Sequence, residues 1–363
     1  MGRGPGRGNC SRQWKPRRWK PGTTVETRYD GGNQVRRWKP HRHRYRRAGP
    51  ELVRNRSGTW LRPPGAGPEP CPGETMTSTT EFDAALAPAR DVIAAQRSEP
   101  DTSVGYVQGI LSHDISTELG RLQLLESQVD PATHAVLEAR GIADGGRFLE
   151  IGAGAGSVAY WLADRFPGGE VTAVDVSTSF LDDTGRSNLR IVQADVRTHD
   201  FEPGSFDLIH ARTVLMHIPE REEVLRRLVS WLAPGGWLVT EDLVLSPVDS
   251  SPHDEFRHAF EAIGQAMASS IGSDLWWGRT LPAPLTRAGL VDAGLHATYY
   301  PVGGSNEIGR LWRATFSQSA DYLVASGLLT RADLDSALAL LADPDFLDLG
   351  PSIIAAWGRR PPA

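Results

Sequence analysis

The stretch 147–241 predicts a doubly wound α/β fold built on a parallel sheet, and three observations carry that expectation. Short strand-like runs alternate with helical stretches, the first run turns into a glycine-rich loop, and an acidic residue closes each of the next two runs. Strands are expected over 147–151, 170–175, 189–193, 206–210 and 236–241, with helices over about 157–166 and 220–232 between them. Beyond Ser246 the pattern predicts a helical segment to about Ala293, then a sixth strand near 296–301. A second helical insertion is expected over about 307–342, and a last short strand over 352–358.

Ahead of the sheet, residues 76–145 are expected to form a helical cap. Leu119, Leu122 and Leu125, followed by Val129, Val136 and Leu137, recur at helical spacing. Pro131 lacks the N–H that a helix interior needs, so this region is expected to form two short helices broken there.

The first 75 residues differ in kind. They repeat Trp-Lys-Pro at 14–16, 19–21 and 38–40, end in a Pro/Gly-rich run, and carry 18 Lys and Arg against 5 Asp and Glu. The remaining 288 residues hold 21 against 39, so a net charge of -5 conceals a basic segment joined to an acidic body. So little apolar surface does not offset the roughly 1–2 kcal/mol of backbone entropy that ordering each residue costs, and the segment is expected to be disordered. Its arginines and tryptophans could bind nucleic acid, but it reads rather as leader sequence with Met76 as a second start. A chain beginning at Met76 is therefore expected to keep the full ligand affinity of the part that follows, and a calorimetric titration in which the truncated chain bound more weakly would overturn that.

Both cysteines, Cys10 and Cys71, lie in this segment, which removes thiolate nucleophiles and cysteine-ligated metal from the rest; no metal is expected. No apolar run reaches the roughly 18–20 residues needed to cross a bilayer, and the chain reads as cytoplasmic, without membrane partners.

The chemistry centres on Glu150-Ile151-Gly152-Ala153-Gly154-Ala155-Gly156, where a strand turns into a helix. Glycines there allow positive φ and close approach of a ligand, and the helix N-terminus offers free N–H groups. A dinucleotide-binding fingerprint would want glycine where Ser157 stands, and Glu150 would repel a pyrophosphate, so an NAD(P)-dependent oxidoreductase is the weaker reading. Asp175 stands 19 residues after Gly156, where a carboxylate meets ribose hydroxyls, with Val176 beside it. Asp195 can accept from an adenine amino group while Val196 packs on the ring.

These features, with Phe206-Asp207-Leu208-Ile209-His210 and Leu232-Ala233-Pro234-Gly235-Gly236-Trp237, resemble a class I S-adenosylmethionine-dependent methyltransferase of the bacterial small-molecule type. The resemblance covers about a third of the chain. It implies a Rossmann-like sheet of seven strands with the last antiparallel, and S-adenosyl-L-methionine as cofactor. It further implies that Glu150, Gly152, Ala153, Gly154 and Gly156 hold the methionine part, Asp175 and Val176 the ribose, and Asp195 and Val196 the adenine. His210, Ala211 and Arg212 would form the wall beside the sulfonium. Residues 146–250 would then bind the cofactor and 251–363 would form the site for a small-molecule acceptor methylated at O, N or C.

His210 and His217 are the best-placed candidates for a general base, should one be used. Tyr106 and His113 of the cap are further candidates near the cofactor, and Arg121 could meet its carboxylate. Trp276, Trp277, Tyr299 and Tyr300 could line an apolar acceptor site or simply pack the core. The amphipathic stretch 333–341 reads equally as a lid helix or as the surface of a homodimer. Two rivals stand beside this reading. One is an RNA-binding or RNA-modifying protein using the basic segment, which the acidic body disfavours; the other is a non-catalytic cofactor-binding scaffold.

Overall fold

The computed structural model describes residues 53–54, 60–61 and 109–363. The chain divides into two compact units, Met1–Thr77 and Ser78–Ala363. In the first, Val53–Arg54 pairs antiparallel with Trp60–Leu61, a scrap of regular structure where none was expected. The rest of the expected disordered segment, both cysteines, Met76 and Tyr106 lie outside the described residues.

The second unit is built on a seven-stranded sheet. Its strands are β1 (Arg147–Ile151), β2 (Glu170–Asp175), β3 (Leu189–Gln193), β4 (Phe206–Arg212), β5 (Leu232–Val244), β6 (Val291–Gly303) and β7 (Leu347–Arg359). They lie in the order β3-β2-β1-β4-β5-β7-β6, and β7 runs antiparallel to both β5 and β6. This is the Rossmann-like, seven-stranded arrangement that the resemblance implies.

The helices are α1 (Glu118–Glu138), α2 (Ser157–Arg165), α3 (Arg221–Trp231), α4 (Asp254–Ile271), α5 (Ala283–Arg287), α6 (Glu307–Gln318), α7 (Ala320–Ala325) and α8 (Arg331–Leu340). Period-two alternation sends successive strand residues to opposite faces. Phe148 and Leu208 pack with Leu137 and Leu162 on the α1/α2 face, whereas Leu149 and Ile209 pack with Leu225 and Leu228 of α3 on the other. A separate core joins α4, α6 and α8 around Phe256, Phe260, Trp312, Phe316 and Leu334.

Three expectations need correction. The helix was expected to break at Pro131, yet α1 is continuous through it. Leu122, Val129, Val136 and Leu137 bury one face along its whole length. The guanidinium of Arg212 also bonds residues on both sides of the proline, Asp130 at 2.7 Å and Thr133 at 3.0 Å. Tertiary anchoring outweighs the one lost backbone bond.

The helical segment expected to reach Ala293 ends at Arg287, with Gly289 at φ +93, and β6 begins at Val291. β5, β6 and β7 all exceed their expected lengths, because β6 pairs with β7 from Val291↔Arg359 to Gly303↔Leu347 and β7 pairs with β5 as far as Val244↔Ser352. Those partners are distant in sequence, so local pattern could not reveal them.

Helix α8 carries a capping box at Thr330 and Asp333 and buries Leu334 and Ala337 in the α4/α6 core. Among the described residues no helix is long and apolar enough to cross a membrane.

Candidate active site

The order β3-β2-β1-β4 reverses direction between β1 and β4, and such a switch point opens a crevice at the carboxyl ends of the strands. Register brings the chemistry to that edge. Ile151 lies beside Val174 and Ala211, and Asp175 beside Gln193.

A cleft of roughly 840 Å³, including its open mouth, sits there. It is lined by Gly152, Gly154, Asp175, Val176, Asp195, Val196 and Arg212 among the residues expected from sequence. Five others named with them do not line it. Glu150 and His210 are sealed beneath it, Ala153 and Ala211 are core residues, and Gly156 (φ +95) starts α2 with its Cα facing the Tyr160 ring.

Gly152 (φ +65) and Gly154 (φ +57) both hold left-handed backbone, which only glycine adopts without strain. A Cβ on Gly152 would lie 2.2 Å from the Val214 side chain, while one on Gly154 would project into open space beside Leu122. Asp175 is 7% exposed and ties the loop down, its Oδ2 accepting from Gly154 N at 2.9 Å and its Oδ1 from Ser177 N at 3.0 Å. Burial pushes its carboxyl pKa up. Asp195 accepts from Arg197 through both oxygens. Burial works against its charge, but those bonds outweigh it and the carboxyl lies below its ordinary range.

Beneath the cleft runs a buried ionic chain. His210 Nδ1 lies 2.6 Å from Glu150 and its Nε2 3.8 Å from Glu241; Glu241 accepts from Thr133 at 2.7 Å; Arg212 bonds Asp130, Thr133 and Ser157. Burial alone would lower the His210 pKa, but the two carboxylates raise it from its ordinary 6.5 to about 9. An imidazolium whose folded pKa exceeds its unfolded value contributes stability that is complete below about 6.5 and is lost as pH rises through about 9.

Melting temperature is therefore expected to fall between pH 7 and 10, and a His210→Gln variant to lack most of that slope. Asp242, pushed up to about 7 by burial, destabilises over a lower window, as pH rises from about 4 to 7. Equal slopes above pH 8 in the two proteins would sink the assignment to His210.

A second cavity of roughly 850 Å³ adjoins the first, and Leu122, Thr213 and His217 line both. Thr213 stands at φ +53, a conformation that costs a β-branched residue about 1–3 kcal/mol, and its N–H donates to Glu241 O at 2.6 Å. No local sequence signal marks Thr213, Val214 or Ile218 as part of the site. Leu122 was legible only as an apolar helix position.

His217 bonds Ser273 through Nδ1 at 2.7 Å; burial and the nearby Arg121 and Arg221 lower its pKa to about 3, so the ring is neutral. Arg121, expected to meet the cofactor's carboxylate, lines the second cavity and makes a two-pronged pair with buried Glu118. His113 stacks on Phe180 with ring centroids 4.6 Å apart. Of the four aromatics singled out, Tyr300 lines the second cavity. Trp277 is buried in the α3/α5 core, Trp276 packs on the α4 core, and Tyr299 is 56% exposed. Trp312 of α6, which sequence did not single out, also lines that cavity.

Residues 149–240 match the methyltransferase domain family. Methyltransferase str3 of Strobilurus tenacellus is 38% identical over 127 residues, which cover 35% of this chain and 42% of that protein. The (S)-coclaurine N-methyltransferase of Thalictrum flavum subsp. glaucum is 29% identical over 131 residues, 34% of each chain. The aligned part thus spans between about a third and a half of these curated relatives. Phosphoethanolamine N-methyltransferase 2 of Haemonchus contortus, solved with S-adenosyl-L-methionine, aligns over 75% of this chain and 60% of its own at 20% identity and a TM-score of 0.42. The glycine loop and the acidic strand ends Asp175 and Asp195 all fall inside residues 149–240, the stretch that matches the methyltransferase domain.

Proposed function

We propose that this chain is an S-adenosylmethionine-dependent methyltransferase acting on a small-molecule acceptor. The observation that carries the proposal is the pair of cavities meeting at Leu122, Thr213 and His217, one lined by the glycine loop and two carboxylates, the other largely apolar. The donor fits the first. Gly152 and Gly154 leave room for its amino-acid part, Asp175 offers carboxylate oxygens to ribose hydroxyls, and Asp195 with Val196 forms an adenine edge and face. S-adenosylmethionine supplies a methyl group already activated on a sulfonium.

The residues around the junction then have three tasks: to hold the acceptor in line, to exclude water and to keep the donor's orientation fixed. Alignment of this kind is worth up to about 7–11 kcal/mol of barrier. Leu122 and the backbone at Thr213 form the wall between the two ligands. His217, being neutral with a pKa near 3, suits hydrogen bonding better than proton storage. His210 lines neither cavity and serves the ionic chain under the site, so neither histidine supports the general-base role weighed from sequence.

Calorimetric titration with S-adenosylhomocysteine tests the reading. The full chain is expected to bind it in the micromolar range and not to bind NAD. Gly154→Val, which combines left-handed strain with a branched side chain at the mouth of the cleft, is expected to lose the ligand by about tenfold or more. Binding of NAD alone, or unchanged affinity in the Gly154 variant, would overturn it.

A further inference from the structure

We propose that the second cavity selects an uncharged, mostly hydrocarbon or aromatic acceptor that presents a hydroxyl to the junction, and rejects phosphorylated, carboxylate-bearing and ammonium-bearing molecules. The proposal rests on the methyltransferase reading and concerns the acceptor alone.

The lining is the first reason. Leu125, Val129, Met267, Leu311, Trp312 and Ile353 reach it from α1, α4, α6 and β7, so much of the wall is apolar side chain carried on regular elements. The second is the state of its ionisable side chains, which are Arg121, His217 and Tyr300. The Arg121 guanidinium is neutralised by both oxygens of Glu118, a residue with 0% exposure, at 2.8 and 2.6 Å. Among the described residues no carboxylate lines the cavity to meet an ammonium group. A phosphate would have to take Arg121 from Glu118 and leave that buried carboxylate without a counter-charge, held only by the Gln318 amide that donates to it at 2.6 Å. Burying an unpaired charge costs several kcal/mol, whereas an apolar body gains by leaving water.

The third reason is the polar complement that remains. Tyr300 has its hydroxyl buried without a hydrogen-bond partner of good geometry. Where the cavities join, the Thr213 hydroxyl already donates to Arg212 O at 2.7 Å and keeps acceptor capacity, and His217 Nδ1 is bonded to Ser273. A ligand hydroxyl is the neutral group that such a set can satisfy. In the transfer, the hydroxyl oxygen forms a bond to the methyl carbon as the carbon–sulfur bond breaks. The bonding pair stays on sulfur, and the proton of the resulting oxonium is lost to bulk solvent outside the junction.

Size-matched probes test this on the full chain saturated with S-adenosylhomocysteine, read by tryptophan fluorescence and calorimetry. 2-Naphthol is expected to bind about tenfold or more tightly than 2-naphthoate or 2-naphthylmethylammonium, and phosphoethanolamine not to bind. Leu311→Glu is expected to abolish naphthol binding while leaving the S-adenosylhomocysteine affinity within about twofold, which also reports folding. Tyr300→Phe is expected to weaken naphthol but not naphthalene.

Tighter binding of a charged probe, absence of naphthol binding with S-adenosylhomocysteine still bound, or equal effects of Tyr300→Phe on naphthol and naphthalene would each overturn the proposal. Failure of S-adenosylhomocysteine itself to bind would instead sink the methyltransferase reading, and the same probe series without it would still report on the cavity.

Discussion

Arg212→Met is expected to destabilise the protein by about 3–5 kcal/mol, the largest stability effect of any single change at the site. Its guanidinium is 9% exposed and is the cation that faces Asp130 at 2.7 Å, bonds Thr133 and Ser157, and lies in the field of Glu241 and Glu150. Methionine fills much of the same volume but leaves half-buried Asp130 without its cation and buried Glu150 and Glu241 with only the His210 imidazolium between them.

The anchor that carries α1 through Pro131 is lost at the same time. For a unit of this size the melting temperature is expected to drop by roughly 6–20 °C. Adding Asp130→Asn should recover part of the loss, because it removes the charge left unpaired. Thermal and urea denaturation check both statements; a drop below about 2 °C would show that water reaches the chain and screens it.

Asp175→Ala is expected to weaken S-adenosylhomocysteine binding by about 10- to 150-fold, the range that corresponds to losing about 1.5–3 kcal/mol of hydrogen bonding to a charged acceptor. Two effects add. The ribose loses its acceptor, and Gly154 N and Ser177 N lose the carboxylate that holds the loop in shape. Asp175→Asn keeps the side-chain shape and one acceptor oxygen, so it should fall between alanine and the parent. Calorimetry separates this from unfolding if the melting temperatures stay close, and an alanine variant that binds as tightly as the parent would remove Asp175 from the site.

The legible part of the site was the part that local chemistry writes. Glu150 to Gly156, Asp175 and Asp195 carry their meaning in residue type and spacing, because left-handed turns need glycine and strand ends need polar closure. The four parallel strands flanking the crevice were legible from equally local pattern: each is a short run rich in apolar residues and bounded by turns. What sequence could not separate was contact from support. Glu150 and His210 sit in the same motifs as Gly152 and Arg212, yet the former pair is buried beneath the cleft and the latter pair lines it. Alternation along a strand decides which side chain emerges, and at the last residue of a strand one step changes the answer.

By itself, then, the sequence determined the Rossmann-like core, the position of the glycine loop and the acidic residues aligned with it, because these follow from periodicities of two and 3.6 residues and from turn chemistry that acts over a few positions. Only the tertiary structure decided that α1 runs unbroken through Pro131, that Thr213 and His217 stand where two cavities meet, and that the second cavity is walled by α1, α4, α6 and β7. Those outcomes depend on pairings between residues far apart in the chain, whose energies appear only once the elements are packed against one another.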